Sequence, residues 1–418
     1  MVGFAAMGVR ETNSPPSAAL SALAADAPRR REPASPAAIV GAGTAAYERH
    51  PAVERRTETF IAEAVVAALA DAGIHKNEVD GFGVSSFSLG PDHAVDLAWK
   101  LGLTVRWVME DTNGGASAIN MLQHAIRAIE HGDAETIVLA SGDRMEKREF
   151  HLMTDRYNRV ARDYLAPLPL NGPNALFAFL TERYGRLHGL EREDYGCIPI
   201  AQRWWAGKNE WAAYRRPMTM EEYLASVPIA PPLTRYDCVP IVSGGDAIVV
   251  TTPERAKKLN RGPHAGVRAI RALHNHDQQE GDGIHSGFAA FRDDLWAAAG
   301  ARPEDLDSAH IYDDYPVMVL VQVGDLGLIP DMDVKRYLHE TVLERKWPLN
   351  TTGGQLSAGQ AGASGGMHGL AEAVRQMRGT AGERQVENAE LALVTGYGMV
   401  LYTHGACHNA AVLERRES

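Results

Sequence analysis

The chain is poor in cysteine. Cys197, Cys238 and Cys407 are the only three in 418 residues, too few and too widely spaced for a disulfide framework or a CxxC zinc site. That scarcity fits a reducing compartment, and a cytoplasmic location is expected. Basic residues are also short: 42 Lys and Arg stand against 53 Asp and Glu, a formal net charge of −11. A nucleic-acid binder needs the opposite surplus to neutralise phosphates, so that class is excluded. Nor does any stretch approach the roughly 18 unbroken apolar residues that cross a bilayer, so no membrane partner is expected.

What is present is the profile of a folded α/β enzyme: 45% hydrophobic residues, 23% charged and 40 Gly. The first 36 residues, rich in Ala, Pro and Ser with Arg29-Arg30-Arg31 ahead of Pro33, carry neither helical nor strand periodicity. They read as a disordered extension.

Order is expected from Ala37, where Ala37 to Val40 reads as a buried strand ended by Gly41-Ala42-Gly43. Phe60, Ile61, Ala64, Val65, Ala68 and Leu69 recur at helical spacing up to Gly73, a stop signal. Strands are predicted over 79–84, 105–109, 135–140, 246–251 and 266–273, and a helix over 116–131. Residues 145–240 break this rhythm with Arg, Trp, Tyr and scattered Pro, and read as an inserted loop domain. Beyond them a helix over 293–299, a strand over 309–312, a Gly-rich run over 353–366 continuing as a helix to about Arg378, and a strand over 391–395 resume it.

The second half repeats the first. "GGASAINMLQHAIRAIEHGDAETIVLASG" and "GASGGMHGLAEAVRQMRGTAGERQVENAELALVTGYG" both run glycine turn, amphipathic helix, polar linker, apolar strand, glycine. The halves are expected to span 37–144 with 241–260, and 261–418, related by a pseudo-twofold axis.

Four segments in this order, "GGASAINMLQHAI" at 114–126, "PLTRYDCVPIVSGGDAIVV" at 232–250, "IYDDY" at 311–315 and "NTTGGQLSAGQAGASGG" at 350–366, give the chain a resemblance to the thiolase superfamily from about Ala37 to Arg415. It is most similar to the thiolase-like lipid-transfer proteins. The resemblance implies a five-layer αβαβα fold with duplicated halves and an inserted loop domain, a substrate that is an acyl-CoA thioester, and a homodimer whose seam is the edge strand 105–109.

The thiolase nucleophile is a cysteine at the turn that opens the central helix, where the helix N-terminus favours a thiolate. Here that place is Gly115, in Gly115-Ala116-Ser117-Ala118, and Ser117 reads as a cap or packing residue. The family's Gly-His-Pro turn is Gly359-Gln360-Ala361, its Asn-Glu-Ala-Phe motif is Tyr312-Asp313-Asp314-Tyr315, and its last Gly-rich turn falls at Val394 to Gly398. Every acid-base and nucleophilic group is replaced while the glycine framework is kept.

That pattern resembles the steroid side-chain aldolases, which cleave β-hydroxyacyl-CoA without a cysteine. The resemblance puts Tyr312 at the chemistry, with Tyr397 as a second phenol and Gln360 as a hydrogen-bond donor, and lines the acyl-CoA site with Gly115, Ser117, Asp313, Gly359 and Gly398. No cofactor is expected beyond the coenzyme A of the substrate. A small zinc-ribbon and OB-fold partner protein is implied as a separate chain. The rival expectation is a catalytically silent acyl-CoA-binding subunit; a thiolase using another thiol is disfavoured by where the three cysteines fall.

Three other features read as structural. His274-x-His276, with Asp277 and His285 nearby, has metal-like spacing but the look of a solvated loop, so no metal is expected. Cys407-His408 resembles a thiolate pair, yet neighbours on a strand point to opposite faces. Trp204, Trp205 and Trp211 could hold an acyl chain but read as core or interface.

Overall fold

In the computed structural model the described residues are 35, 37–89, 93–155, 161–165, 168, 172–401 and 404–417. The disordered extension expected over 1–36 lies outside them apart from Ser35. Residues 31–418 cluster as one compact unit.

Nine strands form the main sheet: β1 (Ala38–Glu48), β2 (Gly81–Ser85), β3 (Trp107–Glu110), β4 (Thr136–Asp143), β5 (Ser243–Thr251), β6 (His264–His274), β7 (Ser308–His310), β8 (Leu391–Val400) and β9 (Gly405–Arg416). Their order is β3-β2-β4-β5-β1-β6-β9-β8-β7. The first half therefore reads β3-β2-β4-β5-β1, and the second, outward from its own first strand, β6-β9-β8-β7. Pairing directions match as well: β2–β4 and β7–β8 are parallel, whereas β4–β5 and β8–β9 are antiparallel. The counterpart of β3 is reduced to one parallel bridge between Ala309 and Leu349. The halves meet where β1 and β6 share a ladder of two residue pairs, Ala38 with Gly266 and Ile39 with Ala265.

Alternation along the strands builds the layers. Ile137 and Leu139 of β4 and Val394 of β8 share a core with Ile119 and Leu122 of helix α3 and Met367 and Leu370 of helix α9. These two helices, Ser117–His131 and Gly365–Arg378, are the central layer. Val138 and Ala140 face the other way, onto Phe60, Ile61 and Val65 of α1 (Thr57–Ala72) and Leu97 of α2 (His93–Leu101). Leu393 and Val412 pack on Phe288 of α6 (Gly287–Ala299) and Leu320 of α7 (Pro316–Asp325). That outer core also takes Phe177 of α4 (Gly172–His188) and Ile198 of α5 (Arg192–Ala206), so the inserted 145–240 segment is anchored by helices rather than by loops alone.

Both central helices end on a left-handed glycine, Gly132 (φ 76°) and Gly379 (φ 72°), whose amide closes the last turn. Two elements that bear on the site differ from expectation. The strand predicted over 309–312 ends at His310, which leaves Tyr312 in the turn leading to α7. Helix α7 itself escapes a periodicity reading because Val317 to Val323 is buried on every side. Among the described residues, no helix is long and apolar enough to cross a membrane.

Candidate active site

Three turns converge where the halves meet: Gly114–Ala116 ahead of α3, Ile311–Tyr315 ahead of α7, and Gly359–Ser364 ahead of α9. The middle turn is held rigidly. Asn350 accepts the Ile311 N–H through Oδ1 at 2.7 Å and donates through Nδ2 to the Ile311 carbonyl at 2.9 Å. The Tyr312 N–H donates to Thr395 Oγ1 at 2.9 Å, and Gln322 Nε2 donates to the Tyr312 carbonyl at 2.7 Å.

This frame brings Tyr312, Asp314 and Gln360 together. Gln360 Nε2 donates to the Tyr312 hydroxyl at 3.1 Å and to Asp314 Oδ1 at 2.6 Å. The Gln360 loop is pinned in turn, its N–H on the Pro240 carbonyl at 3.0 Å and its carbonyl receiving the Val242 N–H at 3.2 Å. Burial pushes the Asp314 carboxyl up to about 7, against hydrogen bonds from Gln360 and Tyr312 that favour the carboxylate. The carboxyl is thus held beside the phenol with a raised affinity for a proton. Nothing in the local sequence separates Asp314 from its chain neighbour Asp313.

Asp313, expected at the substrate, faces inward instead. It accepts the N–H groups of Gln355 at 2.9 Å and Leu356 at 3.2 Å, at the start of the short helix α8 (Gly354–Ala358), and burial pushes it up to about 8. Tyr397, the second phenol expected at the site, accepts the Gly405 N–H at 2.8 Å, and its ring stands edge-on to His408 at 4.8 Å, which ties the phenol to the β8–β9 hairpin.

Gly115 explains the missing cysteine. A Cβ placed there would come closer than 3.0 Å to the Tyr312 ring and to the Tyr397 carbonyl oxygen. Gly398 is equally confined, against the Asn113 carbonyl, and Gly359 (φ 116°) against the Val242 side chain. Ser117 is buried at the start of α3 with its hydroxyl unpartnered. Beneath Tyr312 a cavity of about 10 Å³, lined among others by His310, Thr352, Gln355 and His368, has room for about one water molecule.

None of the cysteines is a poised nucleophile. Burial pushes Cys197 and Cys238 up to about 12 and Cys407 up to about 11, the reverse of what a reactive thiol needs. Cys407 points at Asn113 while His408 points at Tyr397 and Phe288, so the adjacent pair faces two ways. Trp205 is buried and Trp211 packs on Tyr47 and His368, leaving Trp204 at 38% exposure with Lys208 over its ring. A separate cavity of about 370 Å³ lies between α4, α5 and Pro316, and no predicted site residue lines it.

Sequence reading missed two buried carboxylates that tie the halves together. Asp143 accepts the Ala363 N–H of the second half at 2.8 Å as well as Ser86 and Ser88 of the first. Asp246 accepts from Thr44, Tyr47 and Ser364, and Tyr47 continues to His368 Nδ1 at 2.9 Å. Nothing in the local sequence marks them, since their partners are distant along the chain.

A family model described as Thiolase C-terminal domain-like matches residues 272–414. The 17-hydroxy-3-oxo-4-pregnene-20-carboxyl-CoA lyase of Mycobacterium tuberculosis is 32% identical over 86% of this chain and 95% of its own length. The chain belongs to the thiolase superfamily, in the branch of the side-chain-cleaving CoA lyases. The steroid side-chain-cleaving aldolase of Thermomonospora curvata is 31% identical over 87% of this chain and 95% of that protein. Among solved structures, the Ltp2-ChsH2(DUF35) aldolase matches with a TM-score of 0.80 at 28% identity, over 91% of this chain and 98% of that one. The chain is thus a thiolase-like CoA lyase of aldolase type, with glycine at the place where a thiolase keeps its thiol.

Proposed function

We propose that this lyase cleaves the Cα–Cβ bond of a bulky β-hydroxyacyl-CoA, a steroid or aromatic side-chain thioester, by a retro-aldol reaction with Tyr312 as its acid-base group. The observation that carries this reading is the Tyr312 hydroxyl, fixed between Gln360 Nε2 and Asp314 over the Gly115 turn. As Tyr312 passes its proton to Asp314, its oxygen takes the β-hydroxyl proton. The Cβ–O bond becomes a carbonyl, the Cα–Cβ electron pair moves into the thioester enolate, Tyr312 hands the proton taken from the β-hydroxyl to Cα, and Asp314 gives its proton back to the phenolate to restore the starting state. Backbone N–H groups at Gly115 and Gly398 receive the enolate oxygen. Gln360 orients the phenol. No covalent acyl-enzyme is formed, and no cofactor is needed beyond the coenzyme A of the substrate.

The coenzyme A moiety would lie against the inserted segment. Arg203 donates to Ser357 Oγ at 3.1 Å, two residues before Gly359, and Arg49, Arg203 and Arg235 surround the Tyr214 ring. Guanidinium groups beside aromatic faces suit phosphates and an adenine. The proposal includes a homodimer paired through the edge strand β3, a small zinc-ribbon and OB-fold partner chain, and a cytoplasmic setting.

The test is to incubate the chain, alone and with such a partner, with a tertiary β-hydroxyacyl-CoA and to separate the products. A ketone and a shortened acyl-CoA in equal amounts are expected. Binding of the thioester with no cleavage in either arm would sink the reading in favour of a silent subunit.

A further inference from the structure

The loop after β6 and the tip of the β8–β9 hairpin meet around Asp277. Its Oδ2 lies 3.0 Å from His404 Nε2 and 3.5 Å from His276 Nε2, and one donor atom from each of the three residues lies within 4.8 Å of the others. Nitrogen and oxygen ligands about 2.0–2.1 Å from a tetrahedral zinc ion stand about 3.3 Å apart, so the two measured separations bracket that spacing. The carboxylate is pre-oriented: Oδ1 accepts the Gln279 N–H at 2.9 Å and Oδ2 the Gly281 N–H at 3.2 Å.

Hydrogen-bond accounting points the same way. His404 Nδ1 lies 2.9 Å from the Gly405 carbonyl, which can only accept. In a neutral ring, a hydrogen on Nδ1 leaves the Nε2 lone pair facing a carboxylate, an opposition that a second ring proton or a cation between the two resolves. Buried ring nitrogens in and beside the cluster also lack partners. His276 Nδ1 has none, and His408, fully buried, has none at either ring nitrogen. The His408 ring centre is 5.6 Å from that of His276 and 6.1 Å from that of His404. Unpartnered buried nitrogens are costly, and such orphans in a native fold often mark an ion or a water.

We propose that His276, Asp277 and His404 form a divalent-cation site suited to zinc, with His408 or a water completing the shell. Two imidazoles and one carboxylate are a zinc-like donor set. The site clamps the hairpin tip to the β6 loop. Its bearing on the chemistry is positional: Gly405, next to His404, holds the Tyr397 hydroxyl, and the Tyr397 carbonyl backs Gly115. The competing arrangement is metal-free, with the Gln279 amide 3.1 Å away donating to His404 Nδ1 and Nε2–H pointing at Asp277.

The full chain, stripped with a chelator and dialysed, is titrated with Zn²⁺ and separately with Co²⁺. The expected results are one zinc per chain after gel filtration, the visible absorption of tetrahedral Co²⁺, and a higher thermal midpoint with Zn²⁺. Loss of an outer-shell partner typically weakens metal binding by about 10–100-fold, so loss of a ligand in Asp277→Asn or His276→Ala should exceed that. Asp277→Asn is nearly isosteric, and circular dichroism checks that it folds. A chain with all three cysteines replaced by serine should keep its zinc. Equal affinity in the parent and both ligand variants, or loss of zinc from the cysteine-free chain, overturns the site.

Discussion

The ring of Tyr312 fills the space into which any side chain at Gly115 would project. The two positions face each other across the halves: a glycine stands at the start of the central helix and a phenol in the turn opposite. A side chain at position 115 and this ring in its present place cannot occupy the same volume.

Tyr312→Phe keeps that ring and removes only its hydroxyl. Losing a positioned acid-base group typically costs about 10²–10⁴-fold in rate, whereas losing one hydrogen bond costs about 0.5–1.5 kcal/mol of stability. The expected outcome is a rate loss in that range with a small shift in the unfolding midpoint. Cleavage within about threefold of the parent would make Tyr312 a packing residue.

Asp314 sets the pH response. It must be ionised to accept the Tyr312 proton, and burial pushes it up to about 7, so kcat/KM should fall as the pH drops through that value. Stability runs the other way. A carboxyl raised in the folded state contributes stability that is fully present below its unfolded value near 4 and is lost as the pH rises through about 7. Protonation of Asp314 at pH 6 therefore does not itself favour unfolding, and thermal melts across the same range separate a loss of activity from a loss of fold. Asp314→Asn should lower the rate and flatten the acid limb.

Gly115→Cys should not restore thiolase chemistry. Its Cβ meets the Tyr312 ring and the Tyr397 carbonyl, and overpacking of this kind typically costs about 1–3 kcal/mol. The expected variant melts earlier, cleaves no β-hydroxyacyl-CoA and forms no acyl adduct by mass spectrometry. Replacement of Cys197, Cys238 and Cys407 together by serine should leave cleavage within a few-fold of the parent. An adduct at Cys407 would contradict the cysteine-free mechanism.

Glu372 is a stability determinant hidden in the central layer. Burial would raise it, but Arg384, bonded to both of its oxygens at 3.0 Å, holds it at about 2. This depressed carboxylate contributes stability above its unfolded value near 4, lost as the pH falls through about 2. Glu372→Gln strands the Arg384 charge, and breaking a buried pair from one side typically costs about 3–5 kcal/mol, readable in urea unfolding.

The amino-acid sequence alone determined the duplication, because glycine turns, amphipathic helices and apolar strands leave periodic traces in both halves. It also determined the chemistry that is absent, since Gly115 and Gln360 are read directly at the places where a thiolase keeps its cysteine and histidine. The choice between Asp313 and Asp314 was made only by the fold. The two carboxyls are chain neighbours, and the backbone turn aims one at the Gln355 and Leu356 amides and the other at Tyr312 and Gln360. The surroundings of Tyr397 were set the same way, by a hairpin whose Gly405 N–H donates to its hydroxyl oxygen. Likewise His276 and His404 are 128 positions apart in the chain and meet only because β6 pairs with β9. Periodicity is a local property that a sequence displays, whereas the direction of a side chain and the company of distant residues are set by packing, which no local pattern records.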